Sequence, residues 1–235
     1  MSMVTFFWPT DSRWLGLRTF HTAVVFDHTL ARECDLEALA GPFPPNVARA
    51  VLKRKVDYAV GRHCARQALT LAGSKSIHVG IREVRAPLWP DCFVGSITHS
   101  DGYGAAVVAS TADYRGIGID CEAYVQQSTA AGIRRMVLTP RDEDSLRMNT
   151  VSEEVGLTLI FSAKESIFKA IHPLTSVFFE FHDVVLTMID FARRSFTFEL
   201  QRNLAPGFDR GYTNVGQFDF CEKRVYTGVF LHSNT

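Results

Sequence analysis

Two long stretches of the chain space apolar residues three and four apart, and several shorter ones space them every second position. The first long stretch is "NVARAVLKRKVDYAVGRHCARQALTLAG", residues 46–73. Leu52, Val56, Ala59, Val60 and Cys64 fall on one stripe there, predicting an amphipathic helix of about seven turns. The turn "GPFPPN" (41–46) places Asn46 as its cap, and Gly73 is placed to stop it. The second covers residues 152–172, where Leu157, Ile160, Lys164, Ile167, Phe168 and Ile171 recur at helical spacing and Pro173 ends the run. Ser162 with Glu165 could instead form a capping box, but the stripe continues upstream and favours Ser162 as a mid-helix residue.

The shorter segments read as strands. "RAPLWP" (85–90) is an extended loop between prolines; "FVGSITHS" (93–100) is a strand, "DGYG" a turn, "AAVVAS" a second strand and "GIGIDCE" a third. After Pro173, "FFEFHDVVLTMI", "SFTFELQ" and "QFDFCEKRVYTGVFLH" alternate at period two and are rich in aromatics. Each half therefore holds a long helix and several strands. That is an α+β chain of two similar lobes, with a seam near 110–116 that divides residues 1–113 from 114–235.

Composition narrows the function classes. The chain has 235 residues, 46% hydrophobic and 21% charged, with a formal net charge of zero, so no broad field for nucleic acid or membrane is expected. Five cysteines, odd in number and without a CxxC pair, suit a reducing cytoplasm better than a disulfide framework or a zinc site. No signal peptide or membrane-spanning run is read, which predicts a cytoplasmic protein. Phe6, Phe7 and Trp8 could touch a membrane surface, although aromatics near a terminus more often pack on the domain.

Chemistry concentrates in "RGIGIDCE", residues 115–122. On a strand Ile117 and Ile119 would face a core, with Gly118, Asp120 and Glu122 on the opposite side. Two neighbouring carboxylates repel, so either both are solvated, one caps a helix, or a divalent cation sits between them; oxygen-only ligands favour Mg²⁺ or Ca²⁺ over zinc. In "FSAKESIFKAIHP" Glu165 and Lys169 stand four apart, which alone implies no more than a surface ion pair. Arg54, Arg62 and Arg66 lie within roughly a 120° arc of the first helix, a face that is either solvated or a phosphate-binding fork. His99 closes a strand beside a glycine turn.

Taken in order, "GRHCAR", "RAPLWP", "GSITHS", "GIGIDCE" and "FSAKESIFKA" resemble the phosphopantetheinyl transferases, specifically the large-monomer group typified by the surfactin and enterobactin enzymes. The resemblance spans residues 46–180, and 45 residues separate Asp120 from Glu165. It implies two pseudo-equivalent lobes, each a small antiparallel sheet packed with a long helix, and a cofactor site at the lobe interface. The implied reaction is Mg²⁺-dependent (Mn²⁺ substituting) transfer of 4′-phosphopantetheine from coenzyme A to a serine of an acyl, peptidyl or aryl carrier protein. Adenosine 3′,5′-bisphosphate leaves. Siderophore-type nonribosomal peptide synthetases are the implied partners, with the enzyme a monomer.

The resemblance also implies roles. Asp120, Glu122 and Glu165 would hold the metal, and Glu165 would be the general base, unless a metal-bound water serves instead. Lys164 and Lys169 would approach the phosphates, Lys164 neutralising the leaving bisphosphate. His99 would contact a coenzyme A phosphate, and Arg54, Arg62 and Arg85 the 3′-phosphate. One departure stands out: where relatives carry a basic residue after the helix, this chain has Thr175, Ser176 and Val177. The rival readings are a non-catalytic coenzyme A or carrier-protein-binding module, and a Mg²⁺-dependent phosphohydrolase.

Overall fold

A long helix laid across an antiparallel sheet is built twice along the chain. The structure is a computed structural model and describes residues 4–6, 15–30, 33–82, 86–148, 151–221 and 223–233. It divides into two compact units: one runs to Arg115 and regains the chain from His232, the other is Gly116–Leu231. The architecture is α+β with antiparallel strand pairs in both sheets.

In the first unit, strands β1 (Val4–Phe6) and β2 (Phe20–Val25) precede helices α1 (Glu33–Ala40), α2 (Pro45–Ala48) and α3 (Leu52–Leu71). The short pair β3 (Gly80–Ile81) and β4 (Pro87–Leu88) follows, then β5 (Phe93–Ser100) and β6 (Tyr103–Ser110). The main sheet has the order β1-β2-β6-β5. Val56, Ala59, Val60, Cys64, Ala65 and Ala68 of α3 pack against Val24, Ala106 and Val108 of the sheet. Asp101 and Gly102, with φ of 41° and 77°, form the two-residue turn between β5 and β6, a conformation whose twist suits a hairpin.

The expected seven-turn helix is two helices. Pro45 starts α2 at its first position, where a missing N–H costs nothing, so Asn46 is inside a helix rather than capping one. Val51 is extended and α3 begins after it, which leaves Leu52 43% exposed and off the core stripe. At the other end, Gly73 (φ 70°) and Ser74 donate back to Thr70 and Leu69 and close α3 as expected. "RAPLWP" contributes β4, paired with β3. Phe7 and Trp8 lie outside the described residues, as does the Phe6 side chain.

The second unit contains most of β7 (Tyr114–Ala123), then α4 (Gln127–Val137), α5 (Pro140–Arg147) and α6 (Glu153–Thr175). Strands β8 (Val184–Asp190), β9 (Ser195–Leu200), β10 (Thr213–Phe220) and β11 (Arg224–His232) complete a sheet of order β7-β11-β10-β9-β8. Ile160, Ala163, Ile167 and Ile171 of α6 share a core with Phe196, Phe198, Phe218 and Val229 of the sheet.

The start of α6 agrees with the sequence expectation, and two later details differ from it. Ser152, accepting from the Val155 N–H, starts α6, and Ser162 is mid-helix. Pro173 sits inside the last turn without ending the helix; termination comes at Ser176, whose φ of 55° turns the chain left-handed. Phe178–His182 is not strand: β8 begins at Val184 after a single 3₁₀ turn, Phe181–Asp183.

Candidate active site

The glycines of "RGIGIDCE" decide how closely α6 approaches β7. A Cβ on Gly118 would stand 1.8 Å from the Ser166 carbonyl oxygen, and one on Gly116 2.6 Å from that of Ala170. The strand face expected to point away from the core is therefore itself covered by helix backbone as far as Gly118. Two residues on, the same face carries Asp120, then Glu122.

On α6, Glu165 and Lys169 lie about 40° apart around the axis and so share a face. Because helix and strand backbones touch at Gly118, that face meets the acidic end of β7. Lys169 Nζ donates to Asp120 Oδ1 at 2.6 Å and to the Ile119 carbonyl at 3.2 Å. The Asp120 side chain is 4% exposed, that of Lys169 28%. Burial, the largest single effect, works against the Lys169 charge, but Asp120, Glu165 and Glu122 together outweigh it, and the ammonium is held above its ordinary pKa. Glu165 shifts the other way for a carboxylate: burial raises it, Lys169 pulls it down, and the charge of Asp120 raises it further.

All three expected metal carboxylates thus act on one ammonium. Among the described residues, no three His, Cys, Asp or Glu groups already stand together as a metal site. The donor set fits a hard divalent cation in its chemistry, being carboxylates from two strand positions and one helix position.

Lys164 does not join this cluster. Its Nζ donates to Asp142 Oδ2 (2.6 Å), the Val137 carbonyl (2.8 Å) and the Phe181 carbonyl (2.9 Å), and the residue is 2% exposed. All three ammonium protons are committed inward, so the expected contact with a phosphate is replaced by a structural clasp. Burial lowers its pKa, Asp142 opposing. The stripe of Leu157, Ile160 and Ile167 already runs through position 164, and the helix turns it to the interior while Glu165 faces outward.

Asp142 was invisible to the sequence reading, which assigned no helix between 127 and 147. The signal was "TPRD": Asp142 and Thr139 form a reciprocal capping box that starts α5. Asp142 Oδ1 also accepts from the Leu186 N–H, tying α5 to β8.

Beside Glu165 opens a cavity of about 420 Å³, lined by Met136, Lys164, Glu165, Phe168, Phe178, Phe179, Glu180, Phe181, His182 and Val184. The mostly apolar wall is supplied by the irregular segment after α6 that sequence alternation had assigned to a strand.

In the first unit, Arg54 Nη1 lies 3.1 Å from His99 Nε2. Arginine only donates, so Nε2 accepts and the imidazole is neutral in this arrangement. Arg62 departs from expectation. It is 6% exposed, stacks on Tyr58 at 5.1 Å, and directs Nη1 to the carbonyls of Val79 (2.9 Å) and Gly80 (3.1 Å). Burial lowers its pKa. Arg66 likewise donates to the Leu39 carbonyl. The three-arginine face is thus reduced to Arg54. Arg85 lies outside the described residues.

Comparison with known proteins gives these clusters a context. Residues 44–109 match the model for the 4′-phosphopantetheinyl transferase N-terminal domain, and residues 116–217 that for the 4′-phosphopantetheinyl transferase superfamily. Enterobactin synthase component D of Escherichia coli (strain K12) is 35% identical over 162 residues, covering 66% of this chain and 76% of the relative. The chain belongs to the 4′-phosphopantetheinyl transferase superfamily.

Two further transferases of the superfamily are similar over shorter spans. Npt of Nocardia iowensis is 39% identical over 142 residues, and PptT of Mycobacterium tuberculosis 33% over 143. These cover 60% and 61% of this chain, which spans 62% of the length of each relative. The superfamily match contains Asp120, Glu122, Glu165 and Lys169, and the N-terminal match contains Arg54, Arg62, Arg85 and His99. No helix among the described residues is long and apolar enough to cross a membrane.

Proposed function

We propose that this chain transfers the 4′-phosphopantetheine group of coenzyme A to a serine hydroxyl of a carrier protein and releases adenosine 3′,5′-bisphosphate. The observation that carries this reading is the Asp120–Lys169 ion pair where the face of α6 bearing Glu165 meets the end of β7 bearing Glu122, beside an apolar cavity. Asp120, Glu122 and Glu165 would hold Mg²⁺, which when bound neutralises charge on the pyrophosphate.

The chain's own groups carry the remaining steps. Glu165 takes the serine proton from its position on the face of α6 that meets the acidic end of β7. The serine oxygen forms its bond to the phosphorus bearing pantetheine, and the bond from that phosphorus to the bridging pyrophosphate oxygen breaks. The cavity lined by Phe168, Phe178 and Phe181 receives the uncharged pantetheine arm. Arg54 and His99 contact a coenzyme A phosphate, the exposed Arg54 guanidinium being held in place by donating to His99 Nε2.

The relatives include enterobactin synthase component D, which supports a nonribosomal peptide synthetase of siderophore type as the partner. The test is mass spectrometry of apo carrier proteins incubated with this protein, coenzyme A and Mg²⁺. A gain of roughly 340 Da on the carrier is the expected result, equal to the phosphopantetheinyl group transferred. No gain on peptidyl, aryl or acyl carriers overturns the proposal.

A further inference from the structure

The acidic cluster carries its own cation. Carboxylates at the end of β7 and on the facing side of α6 repel one another, and the Lys169 ammonium, 2.6 Å from Asp120, offsets that repulsion. The two partners differ in freedom. Asp120 is fixed on a strand with its side chain 4% exposed, whereas the Lys169 side chain is 28% exposed and ends a flexible four-carbon stem. Lys164, one helical position from Glu165, has no such exit, being 1% exposed with every proton committed.

We propose that Lys169 is the resident counter-ion of this cluster, occupying the place of a divalent cation, so that cation binding requires its ammonium to leave Asp120. The inference rests on the cation-dependent reading above and adds a competition built into the chain. A divalent cation bound to the Asp120 carboxylate would stand beside the ammonium on Oδ1, and their repulsion takes back part of the attraction each would gain alone. Lys169 therefore weakens cation binding to the free protein while keeping the carboxylates assembled in its absence.

The test needs no turnover. Mn²⁺ binding to the unsubstituted protein, Lys169→Met and Lys169→Gln is followed by loss of the free-ion electron paramagnetic resonance signal, with circular dichroism checking the fold. Both neutral variants should bind about tenfold more tightly or better, because the competing charge is gone. Tighter binding by the variants, or binding by them alone, supports displacement. If the unsubstituted protein binds Mn²⁺ and the folded variants bind equally or more weakly, displacement is overturned while the cation reading stands. If none of the three binds, both fall. Should neither variant fold, lysine ¹⁵Nζ spectra of the unsubstituted protein decide. Mg²⁺ should shift one of the slowly exchanging ammonium signals and leave that of Lys164 in place. An unmoved pair alongside measured Mn²⁺ binding overturns the proposal.

Discussion

Lys164 and Asp142 form an ion pair at 2.6 Å with side chains 1% and 0% exposed, and the pair joins five segments of the second unit. Through it, α6 is tied to the last turn of α4 at Val137, the cap of α5, the Phe181 carbonyl and the Leu186 N–H of β8. Removing one member leaves a buried charge without compensation. Lys164→Met should destabilise the protein by about 3–5 kcal/mol in urea unfolding, and adding Asp142→Asn should recover part of that loss. A loss under about 1 kcal/mol would mean that the pair is not holding these segments.

Glu165 trades stability for basicity. Its pKa in the folded chain lies above the unfolded value, chiefly through burial, so between those two values the folded state holds more protons than the unfolded one. Stability contributed at this position therefore falls as pH rises through that window, and the cost persists at neutral pH. Glu165→Gln should raise the melting temperature near pH 7 but not well below pH 4, while abolishing transfer. Equal melting temperatures for the two proteins at pH 7 would count against the raised pKa.

Arg54 and Arg62 should respond oppositely to truncation. Arg62→Ala leaves the Val79 and Gly80 carbonyls without their donor and opens space over Tyr58, a loss of about 1–3 kcal/mol in stability. Arg54→Ala, on the surface beside His99, should leave the melting temperature nearly unchanged. It should weaken coenzyme A more than 3′-dephospho-coenzyme A in calorimetry. Equal weakening of both ligands would remove the 3′-phosphate from its assigned role.

Two glycines of ordinary φ should behave in opposite ways. Gly118→Ala puts a methyl 1.8 Å from the Ser166 carbonyl oxygen, so helix and strand must part, costing about 3 kcal/mol or more and displacing Glu165 from Asp120. Gly132→Ala, on exposed α4 with nothing within 4 Å of the new carbon, should stabilise by about 0.5–1 kcal/mol. Urea unfolding distinguishes them, and transfer assays should show loss only in the first.

By itself the sequence determined most of the long elements and the positions of their charged residues. Period-two alternation located β5, β6 and β7, helical spacing located α3 and α6, and the motif order identified the residues Asp120, Glu122, Glu165 and Lys169. Those signals are local, because side-chain direction on a strand or helix follows from residue spacing alone. Tertiary structure decided which charges face inward. Position 164 lies on the apolar stripe of α6, but only the arrival of Asp142, Val137 and Phe181 makes a lysine there a clasp. Arg62 faces carbonyls that reach it from Val79 and Gly80, seventeen and eighteen residues away in the chain. Likewise the ammonium that meets Asp120 comes from Lys169 of another element, because Gly116 and Gly118 let α6 lie directly against β7. A buried charge is tolerated only where a partner meets it, and that partner is set by the fold rather than by the neighbouring residues.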